Sequence, residues 1–464
     1  MKSRVQRVHF TGIGGIGMSG IAELLHNQGF AVQGTDAAES SNVQRLRGLG
    51  IVVHIGHRAE TIASADVVVV TSAVKEDNPE VLAAQQRGIP VIPRAEMLAE
   101  LMRMKQGIAI AGSHGKTTIT SMIAHGMEVA GLDPTYVIGG RLTASGSNAR
   151  LGSSPWLVAE ADESDGSFLR LSPMISVVSN IDPEHLDHYG DFPHLLEAFE
   201  QFVNRTPFYG RVILHHEHPH VAAIRARVHR PVTTYGCSPQ ADLYLSDSTV
   251  EGASQRLHIV SHAQAHIAEE SFSFRLPMPG RHNAENALAA IAVLRDIGIS
   301  TADICRGMES FGGIQRRFQC TISPEQGMLV DDYGHHPKEV TATLQAAREC
   351  WPDRIISVIF QPHRYTRTRD LMNEFSGAFD LADEAHVLPI YAASEEPIEG
   401  IDHEHLVRAM QLCGHRQAQC CEDMAAAERI ALAQLAEGHV VMLLGAGSIG
   451  ALAVQLRQQW EPEL

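Results

Sequence analysis

The chain has 464 residues, too many for one ordinary core and enough for roughly two to four domains. With 44% hydrophobic and 20% charged residues it has the make-up of a soluble globular protein, and a formal net charge of −17 argues against a general nucleic-acid binder. Seven cysteines, an odd number with no Cys-x-x-Cys pair, argue against a disulfide framework or a zinc knuckle. Met1-Lys2-Ser3-Arg4 leads straight into a strand-like segment ending at Phe10, and there is no apolar run of about 18 residues, so a cytoplasmic chain without a membrane partner is expected.

The same syntax occurs three times in chain order: a short apolar run, a glycine-rich turn, then a helical pattern. The turns are Gly12-Ile13-Gly14-Gly15-Ile16-Gly17, Gly112-Ser113-His114-Gly115-Lys116-Thr117 and Gly445-Ala446-Gly447-Ser448-Ile449-Gly450. Alternating strands and helices of this kind predict an α/β protein with parallel sheets covered on both faces. The predicted architecture is a Rossmann-like N-terminal domain over 1–105, a central P-loop ATPase domain over 106–313 and a Rossmann-like C-terminal domain over 314–464. A β-rich stretch is expected within 232–275, and the adjacent glycines Gly312-Gly313 suit a hinge.

The first turn has the Gly-x-Gly-x-x-Gly spacing of Gly12, Gly14 and Gly17, with Gly15 between them and Asp36 nineteen residues after Gly17. Alone it would suit a nicotinamide-dependent oxidoreductase. No second feature supports hydride transfer, and the same geometry serves any pyrophosphate, including that of a UDP-sugar with Asp36 on the uridine side. Ser72, after the predicted strand 67–70, is a further candidate for this pocket. The third turn is either another anion loop or a tight strand-to-helix connection.

The strongest chemical signal is Gly112-Ser113-His114-Gly115-Lys116-Thr117-Thr118. A strand delivers the chain to a glycine turn whose N–H groups can face phosphate oxygens, and the following helix offers its positive end. Lys116 would neutralise the β- and γ-phosphates, and the Thr117 hydroxyl suits magnesium. The loop is a shortened variant, because Ile110 stands where the usual first glycine would be. Two predicted strands then end in acids and histidine. Glu160-Ala161-Asp162-Glu163 follows the strand 156–159, with Glu160 the preferred metal carboxylate. Asn180-Ile181-Asp182-Pro183-Glu184-His185 follows the strand 175–178, where His185 could help complete a second magnesium shell. Glu200, on a predicted helix over 195–202, could face this site.

Taken together, the phosphate loop, the 180–188 segment, Gly280-Arg281-His282-Asn283-Ala284-Glu285-Asn286 and Gln315-Arg316-Arg317-Phe318 resemble the Mur ligases of peptidoglycan synthesis along essentially the whole chain. Within that family, residues 12–17 and 160–165, Asp331-Asp332-Tyr333-Gly334-His335-His336-Pro337 and His363-Arg364-Tyr365-Thr366-Arg367 resemble the members that add L-alanine. The resemblance implies ATP and two magnesium ions as cofactors, and UDP-N-acetylmuramate and L-alanine as the substrates to be joined. It places Lys116 and Thr117 on phosphate and magnesium, and Glu160 and His185 on metal. His282, Asn283 and Asn286 would lie near adenine, with Arg317 and Asp332 on the nucleotide. Tyr333, His335, Arg364 and Arg367 would form the amino-acid site. Where several members carry a carbamylated lysine this chain has Glu200, whose own carboxylate can supply the charge. A homodimer is compatible with the sequence.

The residue chemistry allows these roles. Asn283 and Asn286 share a helix face and can read a base or cap the helix. Arg364 and Arg367, three apart, can clamp a carboxylate with planar forks. The expected reaction phosphorylates a carboxylate to an acyl phosphate that a neutral amine attacks. His335 would either accept a proton or orient the amine, and closure about glycine hinges would exclude water.

Overall fold

The computed structural model describes residues 1, 4–71, 73–138, 149–263, 269–322, 327–393 and 395–460. Three sheets carry the strands. The first contains β1 (Arg7–Thr11), β2 (Ala31–Asp36), β3 (Val52–Ile55), β4 (Val67–Val70) and β5 (Val91–Pro93) in the order β3-β2-β1-β4-β5, with every pairing parallel. Strand order reverses beside β1, and such a switch point opens a crevice at the strands' carboxyl ends. The turn 12–17 lies there, between β1 and the helix Ile16–Asn27.

The second sheet has ten strands: β6 (Gln106–Ala111), β7 (Thr135–Val137), β8 (Ala149–Arg150), β9 (Trp156–Glu160), β10 (Ile175–Val178), β11 (Arg211–His215), β12 (Val232–Gly236), β13 (Leu243–Val250), β14 (Gln255–Ser261) and β15 (Glu270–Leu276). Their order is β15-β14-β13-β12-β11-β10-β6-β9-β7-β8. β6 runs parallel between β10 and β9, so it too sits at a reversal. Its apolar run, Ile108 to Ala111, is fully buried, as expected of a strand covered on both faces. The last four strands in chain order, β12 to β15, form the expected β-rich stretch.

The third sheet holds β16 (Gln319–Ile322), β17 (Met328–Asp332), β18 (Ile356–Phe360), β19 (Glu384–Val387), β20 (Ala418–Cys420) and β21 (Val440–Leu444) in the order β16-β17-β21-β18-β19-β20. Only the β16–β17 pairing is antiparallel. Apolar clusters cover both faces, one around Val358, Phe360 and Met442, the other around Leu329, Ile359 and Leu443. The chain forms two compact units, Met1–Asp247 with His258–Phe274 and Glu285–Phe311, and Ser248–Leu257 with Arg275–Ala284 and Gly312–Leu464. Among the described residues no helix is long and apolar enough to cross a membrane.

Candidate active site

The phosphate loop leaves β6 and enters the helix Lys116–Val129. Gly112 and Gly115 take φ of +131° and +85°, a region that disfavours side chains. Space is a second constraint, since a Cβ at Gly112 would lie 2.2 Å from Ser179 Oγ and one at Gly115 2.4 Å from Asn286 Oδ1. The strand end after β10 holds the loop. His114 N donates to Asn180 Oδ1 at 2.7 Å, Asn180 Nδ2 and Ser179 Oγ donate to His114 O, and Asp182 N donates to Ser113 Oγ. The His114 ring lies 3.3 Å from Asp182 and 3.4 Å from Glu184.

Lys116 Nζ donates to both carboxylate oxygens of Glu163, at 2.8 and 2.9 Å, and to Gly112 O at 2.6 Å. Burial opposes its charge, but the carboxylates of Glu163, Asp162 and Glu160 more than offset it and hold the ammonium above its ordinary pKa. Glu160 ends β9 in register with Ile110, beside the start of the loop. His185, with φ of +57°, sits 4.0 Å from Glu163 and 3.7 Å from Glu184. The structure therefore draws Lys116, Glu160 and His185 toward one acidic strand end through Glu163. Thr117 and Thr118 begin the helix behind Lys116. Glu200 lies on the helix Phe192–Asn204, where its carboxylate accepts from Arg227 at 3.1 Å.

These groups suit magnesium. The carboxylates of Glu160, Asp162 and Glu163 all act on Lys116 beside the phosphate loop, a concentration of negative charge that would oppose a nucleotide without a divalent cation. Carboxylate and hydroxyl oxygens are the donors that hard cation takes.

In the first turn, Gly12 has φ of +82° and Gly12 N donates to Thr35 O. Gly14 N donates to Asp36 Oδ2 at 2.7 Å, so the acid of the fingerprint folds onto the turn itself. Gly15 caps the helix without a side-chain bond. Ser72 lies outside the described residues.

The C-terminal candidates gather around a histidine pair. The Tyr333 ring is flanked by the guanidinium groups of Arg316 and Arg317, at 5.1 and 5.3 Å, and Arg317 lies 3.7 Å from Glu339. Asp332 is buried and accepts from Phe318 N and Gly334 N; burial raises its pKa to about 6. His335 bonds through Nδ1 to Tyr333 O at 3.0 Å, and its ring is 5.7 Å from that of His363. His363 contacts Arg367 Nη1 at 3.3 Å and stacks on Tyr391. Arg364, with φ of +72°, lies 4.0 Å from Glu395, which fastens Thr366. Tyr333, His335, Arg364 and Arg367 thus belong to one neighbourhood. Burial, with nearby cations, pushes His335 and His363 down to about 4, so both are neutral near pH 7.

The helix Arg281–Asp296 carries the remaining candidates. His282 is held down to about 4 by burial and by Arg317. Asn283 donates to Pro279 O at 2.7 Å, and the Asn286 amide rests against Gly115. The third glycine turn is closed. Gln361 Oε1 accepts from Ile449 N at 3.0 Å, and Cβ atoms at Gly445, Gly447 and Gly450 would strike Gln361 or Arg316, so it is a tight strand-to-helix connection.

Compared with known families, residues 7–106 match the Mur ligase family catalytic domain, 110–294 the Mur ligase middle domain, and 316–447 the Mur ligase glutamate ligase domain. The chain belongs to the Mur ligase family. It is 49% identical over 460 residues to a UDP-N-acetylmuramate–L-alanine ligase of Brucella anthropi, covering 99% of this chain and 98% of the relative. It is also 49% identical over 461 residues to the enzyme of that name from Mesorhizobium japonicum, covering 99% of each. Among solved structures it superposes with TM-score 0.82 on the UDP-N-acetylmuramate-alanine ligase MurC of Thermotoga maritima, at 29% identity over 98% of this chain and 99% of that one. A murein peptide ligase from Psychrobacter arcticus shares the fold, with TM-score 0.72 and 22% identity over 99% of each chain.

Several residues of this Mur ligase stand out only in three dimensions. Glu163 is 2% exposed and grips Lys116, yet in sequence it closes an acidic run that suits a solvated turn. Tyr391 and Glu395 reach the C-terminal cluster from a segment without a motif. His363 opens a motif in which the arginines carry the obvious chemistry. Asn180 opens the 180–188 segment, and its distance from His114 in sequence hides its part in pinning the loop.

Proposed function

We propose that this chain joins L-alanine to the carboxylate of UDP-N-acetylmuramate, converting ATP to ADP and phosphate, in cytoplasmic synthesis of a peptidoglycan precursor. The choice of substrates is supported by the identity to ligases of that activity along the whole chain. The ATP chemistry is carried by one observation: Lys116 stands at a glycine turn whose flanking strands deliver Glu160 and His185 to the same end of the sheet.

On this reading, residues 1–105 hold the UDP-sugar through Gly12, Gly14, Gly15, Gly17, Asp36 and Ser72. Residues 106–313 hold ATP through the 112–118 loop, with His282, Asn283 and Asn286 toward the base. Residues 314–464 bring Arg317 and Asp332 to the nucleotide and Tyr333, His335, Arg364 and Arg367 to the amino acid. Thr117 and Glu160 would hold one magnesium ion; His185 would hold a second, together with Glu200 once that carboxylate leaves Arg227. When bound, magnesium supplies charge neutralisation for the phosphates.

Carboxylate oxygen is a poor leaving group, and its phosphorylation gives an acyl phosphate open to attack. Lys116, released from Glu163 when phosphate arrives, spreads the charge of the transferring group. Arg364 and Arg367 fix the amino acid's carboxylate by bidentate bonds. A histidine of pKa about 4 is poorly matched to deprotonate an ammonium but accepts its hydrogen bond well, so His335 orients the amine. In the test, Lys116→Ala abolishes ADP formation with all substrates present. Substantial ligation by that variant overturns the assignment of the loop.

A further inference from the structure

Arg94 opens the helix Arg94–Arg103, directly after β5, and its guanidinium lies against the first glycine turn. A Cβ at Gly17 would fall 2.3 Å from Arg94 Nη1 and 3.2 Å from its Cδ and Cζ. Gly17 does not have the positive φ that Gly12 needs, and it lies within the helix Ile16–Asn27, where alanine is intrinsically preferred. Gly17 leaves the guanidinium room beside it. It lets a cation settle on the turn that the fingerprint reserves for a diphosphate.

On its other side Arg94 Nη2 donates to Asp162 Oδ2 at 3.3 Å, its one ion pair among the described residues, with side chains 27% and 44% exposed. One long, partly solvated contact occupies one of five donors, and pairs of this kind contribute little. Asp162 also feels Lys116 and has Ser164 as a hydrogen-bond partner, so it keeps neighbours of its own if Arg94 leaves. Arg94, Leu98, Glu160, Asp162 and Phe168 line a common cleft that brings Arg94 beside the acidic strand end.

We propose that Arg94 is a substrate-contacting residue whose planar fork takes the diphosphate of the UDP-sugar on the 12–17 turn, with Asp162 as the partner it leaves. The inference rests on the reading of that turn as the UDP-sugar site, and it adds a cation to a site otherwise assigned to the glycine turn, Asp36 and Ser72. A fork of parallel N–H donors matches adjacent phosphate oxygens in a way that a lone ammonium does not.

Calorimetric titration of the full chain with UDP and, separately, with UDP-N-acetylmuramate tests this. Arg94→Ala is expected to weaken both by about tenfold or more while the KM for ATP stays within about twofold. Arg94→Lys should fall between. Gly17→Ala keeps the charge but pushes the flexible guanidinium aside, and it should weaken both ligands as Arg94→Ala does, which guards against misfolding of one variant. Unchanged UDP affinity in Arg94→Ala and Gly17→Ala overturns the proposal. Loss of UDP-N-acetylmuramate alone, with UDP unaffected, also overturns it by placing Arg94 on the sugar's carboxylate. Failure of the unmodified chain to bind UDP sinks the underlying assignment of the site, whatever Arg94 does.

Discussion

Single side chains in this protein are tuned by what surrounds them. His335 and His363 face each other with Arg367 alongside, and burial together with that positive field keeps both neutral far below their ordinary range. With pKa values near 4, their protonation does not change between pH 6 and 8. The kcat/KM for L-alanine should therefore show no inflection near 6.5 from either ring, and a clear step there would contradict the assignment. His335→Ala should raise the KM for L-alanine about tenfold or more and leave that for ATP within about twofold; equal effects on both would remove His335 from the amino-acid pocket. At this scale the sequence is informative where the backbone carries the chemistry. Gly112, Gly115 and Lys116 are legible because their spacing encodes a turn and a helix start. Glu163 is not, because an acid in a run of acids reads as solvated until the fold shows which one is buried. Tyr391 and Glu395 are hidden for a related reason: they reach the histidine pair only through long-range packing.

Strand ends do most of the positioning. Several groups of the site follow a buried apolar run: Lys116 after β6, Glu160 at the end of β9, Ser179 and Asn180 after β10, Asp332 at the end of β17. Continuous Val, Ile and Ala runs followed by glycine or polar clusters make such elements readable without coordinates. The supports beneath them are less so. Glu80 is fully buried, yet it accepts from Thr11 at 2.7 Å, Thr35 at 2.8 Å and Thr61 at 2.7 Å and contacts His9 at 3.2 Å. Burial opposes its charge, and these partners overcome the opposition, holding it down to about 2. The carboxylate ties together β1, β2 and the segment after β3, directly below Gly12 and Asp36. No local motif announces it, because its donors come from three separate places in the chain. Glu80→Gln keeps the size but loses the charge that these donors serve, and should destabilise this region by about 2–4 kcal/mol. In a chain of several domains that loss is read as a lower first thermal transition. An unchanged melting profile would show the network to be dispensable.

Across the whole molecule, three sheets each carry a candidate strand-end site, and the family matches extend over nearly the full length. Fold class was legible because strand, glycine turn and helix recur three times. That the third turn is packed shut was not, since it has the same glycine spacing as the first but is filled by Gln361 and Arg316. One of the crossings between the two compact units falls at Gly312, beside Gly313 with φ of +78°. The joined product is the most direct test of the ligase activity. The full chain, incubated with ATP, magnesium, UDP-N-acetylmuramate and L-alanine, is predicted to yield UDP-N-acetylmuramoyl-L-alanine by mass, with one ADP and one phosphate per product and no product when any substrate is withheld. Turnover that ignores L-alanine but joins a peptide to the same sugar would contradict it.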